Sequence, residues 1–133
     1  MVLDTSALIA IIQSEPGSDK LISKIEQADS LKISAATFVE AGIVMSSRYG
    51  DPGVLEVDQF IHRLGIKVIP VTDDQAVIAL TAYRKYGKGR HPAGLNYGDC
   101  FSYALASSLR EPLLYIGEDF NRTDAISPFS QAG

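Results

Sequence analysis

The sequence predicts an α/β fold, a mainly parallel sheet with helices on both faces, and three observations carry that prediction. Short apolar runs alternate with amphipathic stretches along the chain, the pattern of repeated strand–helix units. No internal repeat, low-complexity tract or linker interrupts the alternation. The 133 residues suffice for one domain, 1–133, with a real hydrophobic core.

The elements follow in order. Val2-Leu3 reads as a first strand, and residues 6–13 as a helix stopped by Ser14-Glu15-Pro16. A second helix is expected over 18–28, with Leu21, Ile22, Ile25 and Ala28 on one stripe. Residues 31–34 form the next strand. A helix over 36–49 ends at the breaker cluster Gly50-Asp51-Pro52. Val54, Val57, Ile61 and Leu64 mark the apolar face of another helix, which Gly65 stops. A strand over 67–71 precedes a helix over 73–86, capped by Asp73, with Ala76, Val77, Leu80 and Tyr83 facing inward. A loop over 87–95, a helix over 97–109, a strand over 113–116 and a polar tail complete the chain.

Composition removes several classes of function. No apolar stretch approaches the roughly 20 residues needed to cross a bilayer. The opening MVLDTSALIAIIQ has no basic n-region and carries an acid at position 4, so it is not a signal peptide. A single cysteine, Cys100, excludes an internal disulfide and fits a cytoplasmic setting. One cysteine and two histidines do not furnish a structural zinc site. There is no G-x-S-x-G elbow, Walker A loop or G-x-G-x-x-G fingerprint, which sets aside the serine hydrolases, P-loop NTPases and dinucleotide enzymes. The net charge of −4 argues against nucleic acid, but its distribution does not. The segment YRKYGKGRH carries Arg84, Lys85, Lys88 and Arg90 with no acid among them. It is either a phosphate-neutralising patch or a solvated helix end.

Four acids stand out: Asp4, Glu40, Asp99 and Asp119. In an open parallel sheet the binding crevice lies beyond the carboxyl ends of the strands, where Asp4 and Asp119 both fall. Clustered carboxylates repel unless protonated or bridged by a cation, so a hard-cation site is the first expectation. Each acid also has a plain alternative. Asp4 is placed to cap a helix, although Thr5 or Ser6 would serve there and free its carboxylate. Glu40 sits among Phe38, Val39, Ala41, Ile43 and Val44, so it is either exposed near Ser47 or paired with an arginine or a metal. Asp99 lies three residues after Asn96, the spacing of a capping box. Asp119 has Glu118 and Asp124 for neighbours in a loop whose acids serve solubility. Gly98, in the first turn of its helix, weakens that helix and signals a close approach by a phosphate, a partner chain or a packed strand. His62 reads as a surface residue, His91 as part of the basic loop, and Cys100 as a small buried hydrophobe.

Four blocks together, VLDTSALIAII, TFVEAGIVM with Glu40, GRHPAGLNYGDCFSYALA and PLLYIGEDFNRTDA, resemble the PIN-domain ribonucleases, and in particular the VapC-type toxins of toxin–antitoxin pairs. The resemblance spans nearly the whole chain. It implies an α/β/α sandwich that cleaves RNA with Mg²⁺ or Mn²⁺, forms homodimers and is inhibited by a cognate antitoxin that places a basic side chain among the acids. Carried onto this sequence, the family's four acids fall at Asp4, Glu40, Asp99 and Asp119, with Asp4 and Asp99 tied most directly to the metal. Glu118 and Asp124 compete with Asp119 for the fourth place, and the number of ions stays open. Arg84, Lys85, Lys88 and Arg90 would then hold the RNA backbone. Two rivals belong to other classes. One is a catalytically silent binding module acting on a basic protein partner. The other is a phospho-acceptor or phosphatase domain, in which an Asp at a strand end is itself phosphorylated; the phosphatase version wants Asp-x-Asp where this chain has Ser6 two positions after Asp4.

Overall fold

β1 (Val2–Leu3) lies inside a four-stranded sheet of order β3-β2-β1-β4, with β2 at Lys32–Ser34, β3 at Lys67–Ile69 and β4 at Leu113–Leu114. The structure is a computed structural model that describes residues 1–129. All pairings are parallel: Val2 stands opposite both Lys32 and Leu113, and Leu3 opposite Leu114. Parallel neighbours need crossovers, and helices supply them. α1 (Thr5–Ile12) and α2 (Ser18–Gln27) join β1 to β2, while α3 (Ala35–Tyr49) and α4 (Asp51–Leu64) join β2 to β3. α5 (Asp73–Tyr86) and α6 (Tyr97–Leu109) then carry the chain across to β4.

Alternation along the strands divides the core in two. Leu3, Ile33 and Leu114 pack with Leu8, Met45, Val57 and Phe60 of the α1–α4 side. Val2 and Leu113 point the other way, onto Ala79, Ala82, Tyr103 and Leu105 of α5 and α6. The expected α/β/α sandwich results. No helix among the described residues is long and apolar enough to cross a membrane.

Several boundaries differ from the sequence reading, each for a local reason. The strand expected over 67–71 stops at Ile69 because Pro70 has no N–H for the ladder. The strand expected over 113–116 stops at Leu114, and the Ile116 N–H turns instead to the Ser6 hydroxyl. α1 begins one residue early because Asp4 itself is the cap. Gly50 alone makes the turn between α3 and α4, at φ 70°, and Pro52 enters the first turn of α4, where a missing N–H costs nothing. Thr72, not Asp73, caps α5, its hydroxyl accepting the Gln75 N–H at 3.2 Å.

The inward face of α5 is not the one the sequence predicts. Gln75, Ala79, Ala82 and Tyr86 are buried, whereas Val77 and Leu80 are 64% and 63% exposed, and Ala76 and Tyr83 also face outward. Small Ala79 and Ala82 let α5 lie close against α6, which larger side chains would hold off. Of the polar tail, residues 130–133 lie outside the described residues.

Candidate active site

The sheet's topology fixes where a site forms. From β1 the chain builds outward through β2 and β3, then returns to add β4 on the other side of β1. That reversal opens a crevice at the carboxyl ends of β1 and β4. Asp4 follows β1 directly, and Asp119 opens the short 3₁₀ turn Asp119–Arg122 after β4.

Asp4 is 3% exposed, and its two carboxylate oxygens have different fates. Oδ2 accepts the Ser6 N–H at 3.0 Å and the Ser6 hydroxyl at 2.7 Å, capping α1. The same hydroxyl accepts the Ile116 N–H at 3.1 Å, tying the end of β4 to the acid. Oδ1 is buried with no hydrogen-bond partner. Capping and ligation are therefore not alternatives for Asp4, since one oxygen caps and the other is left over. An unsatisfied buried carboxylate oxygen is costly and is a place for a cation.

Asp99 likewise completes the capping box and keeps more to offer. Its Oδ2 accepts the Asn96 N–H at 3.0 Å, while Asn96 Oδ1 accepts the Asp99 N–H at 2.9 Å. Burial, opposed by the Asn96 hydrogen bond and reinforced by the charges of Asp4, Asp119 and Glu40, pushes its carboxyl up to about 7. Asp4, Asp119 and Glu40 thus all act electrostatically on Asp99.

Glu40 is half-buried on α3 and accepts a hydrogen bond at Oε1 from the Thr5 hydroxyl. Among the described residues no arginine or lysine pairs with it, and the exposed position near Ser47 does not describe it. Glu118, Asp119 and Asp124, the three candidates for the fourth acid, differ in what each touches. Glu118 accepts from the Asn121 side chain at 2.7 Å, and Asp124 from the Tyr103 hydroxyl, whereas Asp119 is exposed and its charge acts on Asp99.

The donor set fits a hard cation: carboxylates only, one of them with an orphaned buried oxygen. Among the described residues, no three Asp, Glu, His or Cys side chains are already drawn in to ligating range.

Arg84 and Lys85 occupy the last turn of α5, and Lys88 and Arg90 the following loop, all exposed. Lys88 lines the same groove as Asn96 and Tyr97, so the basic segment borders the turn that carries Asp99. His91 is committed to the loop, its Nδ1 accepting the Ala93 N–H at 3.0 Å, and His62 is a surface residue. Cys100 is the buried hydrophobe expected, its thiol pushed up to about 11 by burial and by Asp99. Thr5 and Ser6 carry more than the sequence reading gave them, since they hold Glu40 and Asp4 respectively. The signal was present: two hydroxyl residues immediately after a strand-end acid.

Fold and site together define a carboxylate-cluster α/β domain, and the chain belongs to the PIN-domain family, whose model, described as PIN domain, matches residues 1–126. Within it, the chain's branch is that of the VapC ribonucleases. It is 50% identical over 127 residues to the "Ribonuclease VapC" of Mycolicibacterium smegmatis, covering 96% of this chain and 98% of that one. Solved structures share the fold at lower identity. VapC20 of Mycobacterium tuberculosis, described as a toxin cleaving the sarcin–ricin loop, superposes at TM-score 0.76 with 14% identity, covering 94% of this chain and 95% of that one. A chain of a toxin–antitoxin complex from Klebsiella pneumoniae superposes at 0.70 with 17% identity, covering 98% of each.

Proposed function

We propose that this chain, acting as one domain in the cytoplasm, is a metal-dependent endoribonuclease toxin of a toxin–antitoxin pair. The observation that carries the reading is the buried, partnerless Oδ1 of Asp4 at a locus where Asp99 is pushed up to about 7 and feels Glu40 and Asp119. Asp4 and Asp99 would hold Mg²⁺ or Mn²⁺, and Glu40 and Asp119 would complete the shell or orient the attacking water. The bound ion supplies Lewis acidity toward water and the scissile phosphodiester. Ser6 fixes the orientation of the Asp4 carboxylate, and Thr5 that of Glu40. Cleavage of RNA by the purified protein that stops when EDTA removes the cation supports the reading, and cleavage indifferent to EDTA overturns it.

Of the basic segment Arg84, Lys85, Lys88 and Arg90, the last three would grip the RNA backbone beside the acids, and Arg84 would pair across a dimer interface. Replacing Lys85, Lys88 and Arg90 by Ala is expected to weaken RNA binding and reduce the slope of log affinity against log salt by about 2, at roughly 0.7 per phosphate contact on a single strand. Arg84 stays in this test because it also stands on the outer stripe of α5. An unchanged slope, measured by anisotropy across salt concentrations, leaves the segment a solvated surface.

A homodimer and a cognate antitoxin would complete the assembly. The Klebsiella relative's description as a toxin–antitoxin complex supports the antitoxin, which would set a basic side chain among the acids. For the dimer, Ala76, Leu80, Tyr83, Tyr97 and Phe101 line an exposed apolar groove of about 540 Å³ between α5 and α6. A second copy fits it by charge. Asp73, Val77, Leu80 and Arg84 form one helical stripe, and an antiparallel two-fold pairing sets each Asp73 against the partner's Arg84 around an apolar centre. Leu80→Asp is expected to give a monomer by light scattering at a concentration where the parent is a dimer. A parent that is monomeric throughout removes the dimer.

A further inference from the structure

We infer that Gly98 is a positioning residue for Glu40: the side chain it lacks is the space that the Glu40 carboxylate occupies. This inference rests on the reading of Glu40 as part of the metal-binding site. A Cβ at position 98 would stand 2.5 Å from Glu40 Oε1 and 2.6 Å from Cδ, and nearer still to Oε2. The close approach that a glycine in the first turn of α6 signals is therefore made by a neighbouring acid. On its far side the same carboxylate receives the Thr5 hydroxyl. Glu40 is held between α1 and the bare backbone of α6, one residue from Asp99.

What would yield to a methyl group at position 98 follows from the neighbouring contacts. One turn away, the buried hydroxyls of Thr37 and Ser102 are bonded at 3.2 Å, which fixes α3 against α6. The Asn96–Asp99 capping box holds the first turn of α6 in place. The colliding atoms, in contrast, lie at the free end of a flexible side chain. The backbone of Gly98 is ordinary right-handed helix, which alanine adopts more readily than glycine. The helix stays and the carboxylate leaves. The chain keeps a poorer helix former at position 98 and gains a correctly placed acid.

The test is a double-mutant cycle of Gly98→Ala and Glu40→Ala, read by urea unfolding in EDTA and by Mn²⁺ affinity from the signal of free Mn²⁺ in electron paramagnetic resonance. Gly98→Ala is expected to remain folded, with near-parental near-UV circular dichroism, and to lose about 10–100-fold in Mn²⁺ affinity, the usual cost of disturbing a group that orients a metal site. Added to Glu40→Ala, it is expected to cost no further affinity, and to raise the urea midpoint more than it does in the parent, because the collision is gone. Equal effects in both backgrounds, or a Gly98→Ala chain that unfolds, overturn the inference, since the helix rather than the carboxylate would then be giving way. A parent that binds no Mn²⁺ overturns the metal reading instead. In that case the urea cycle in EDTA still decides whether positions 98 and 40 are coupled.

Discussion

Asp99→Asn is expected to stop RNA cleavage and, in the same molecule, to stabilise the metal-free protein. The loss follows from its proposed role as a metal ligand: disturbing even a group that only orients such a ligand costs about 10–100-fold in metal affinity or activity, and removing the ligand itself costs more. The gain follows from its surroundings. Burial and then the neighbouring acids push Asp99 up from 3.8 to about 7, so its ionised form is disfavoured in the folded chain. Between those values the folded chain holds a proton that the unfolded chain has released, so metal-free stability falls as pH rises through that window. Asparagine carries no charge and its side-chain oxygen can still accept the Asn96 N–H. The variant's advantage in urea is therefore expected to be full at pH 8 and to vanish below about pH 4, both in EDTA. A variant that is less stable than the parent at pH 8 contradicts the burial of Asp99 beside other acids.

Gly53→Ala is the opposite case to Gly98→Ala, although the substitution is identical and both glycines lie in the first turn of a helix. A Cβ at position 53 would stand 2.8 Å from the Met45 carbonyl carbon and still closer to its oxygen. Those are backbone atoms of α3, which cannot rotate aside, so α4 must move off α3. Val57 and Met45, both fully buried nearby, would lose their packing with it. Overpacking of this kind costs on the order of 3 kcal/mol. In a domain of this size that corresponds to a fall in Tm of about 10 °C. A thermal scan that shows no fall would mean that α3 and α4 pack less tightly than the structure has them.

Strand and helix order was legible because period-2 and period-3.6 patterns, with Gly and Pro as punctuation, are local signals. Strand lengths were less so. Pro70 announces the end of β3, but nothing local announces that Ile116 gives its N–H to Ser6, a residue 110 positions away. The inward face of α5 differs from the expected one because the middle of the helix, Ala76 to Leu80, is apolar on every side. The decision rested on how small Ala79 and Ala82 are against α6, which is a tertiary matter. Asp4 and Asp119 could be placed at the strand ends from pattern alone. That one oxygen of Asp4 caps α1 while the other is buried without a partner, or that Glu118 and Asp124 are engaged by Asn121 and Tyr103, depends on contacts that no spacing records. Gly98 was visible as an anomaly, and only the fold identified Glu40 as its cause.

RNA cleavage by this chain is expected to require both a divalent cation and Asp4. The most direct test incubates purified, antitoxin-free protein with total RNA and Mg²⁺ or Mn²⁺, beside the same mixture with EDTA and beside Asp4→Asn. Discrete fragments that appear only with both the cation and Asp4 are the predicted result. Fragments that persist in EDTA or with Asp4→Asn, or folded protein that leaves every RNA intact, would contradict it and leave the domain as a binding module.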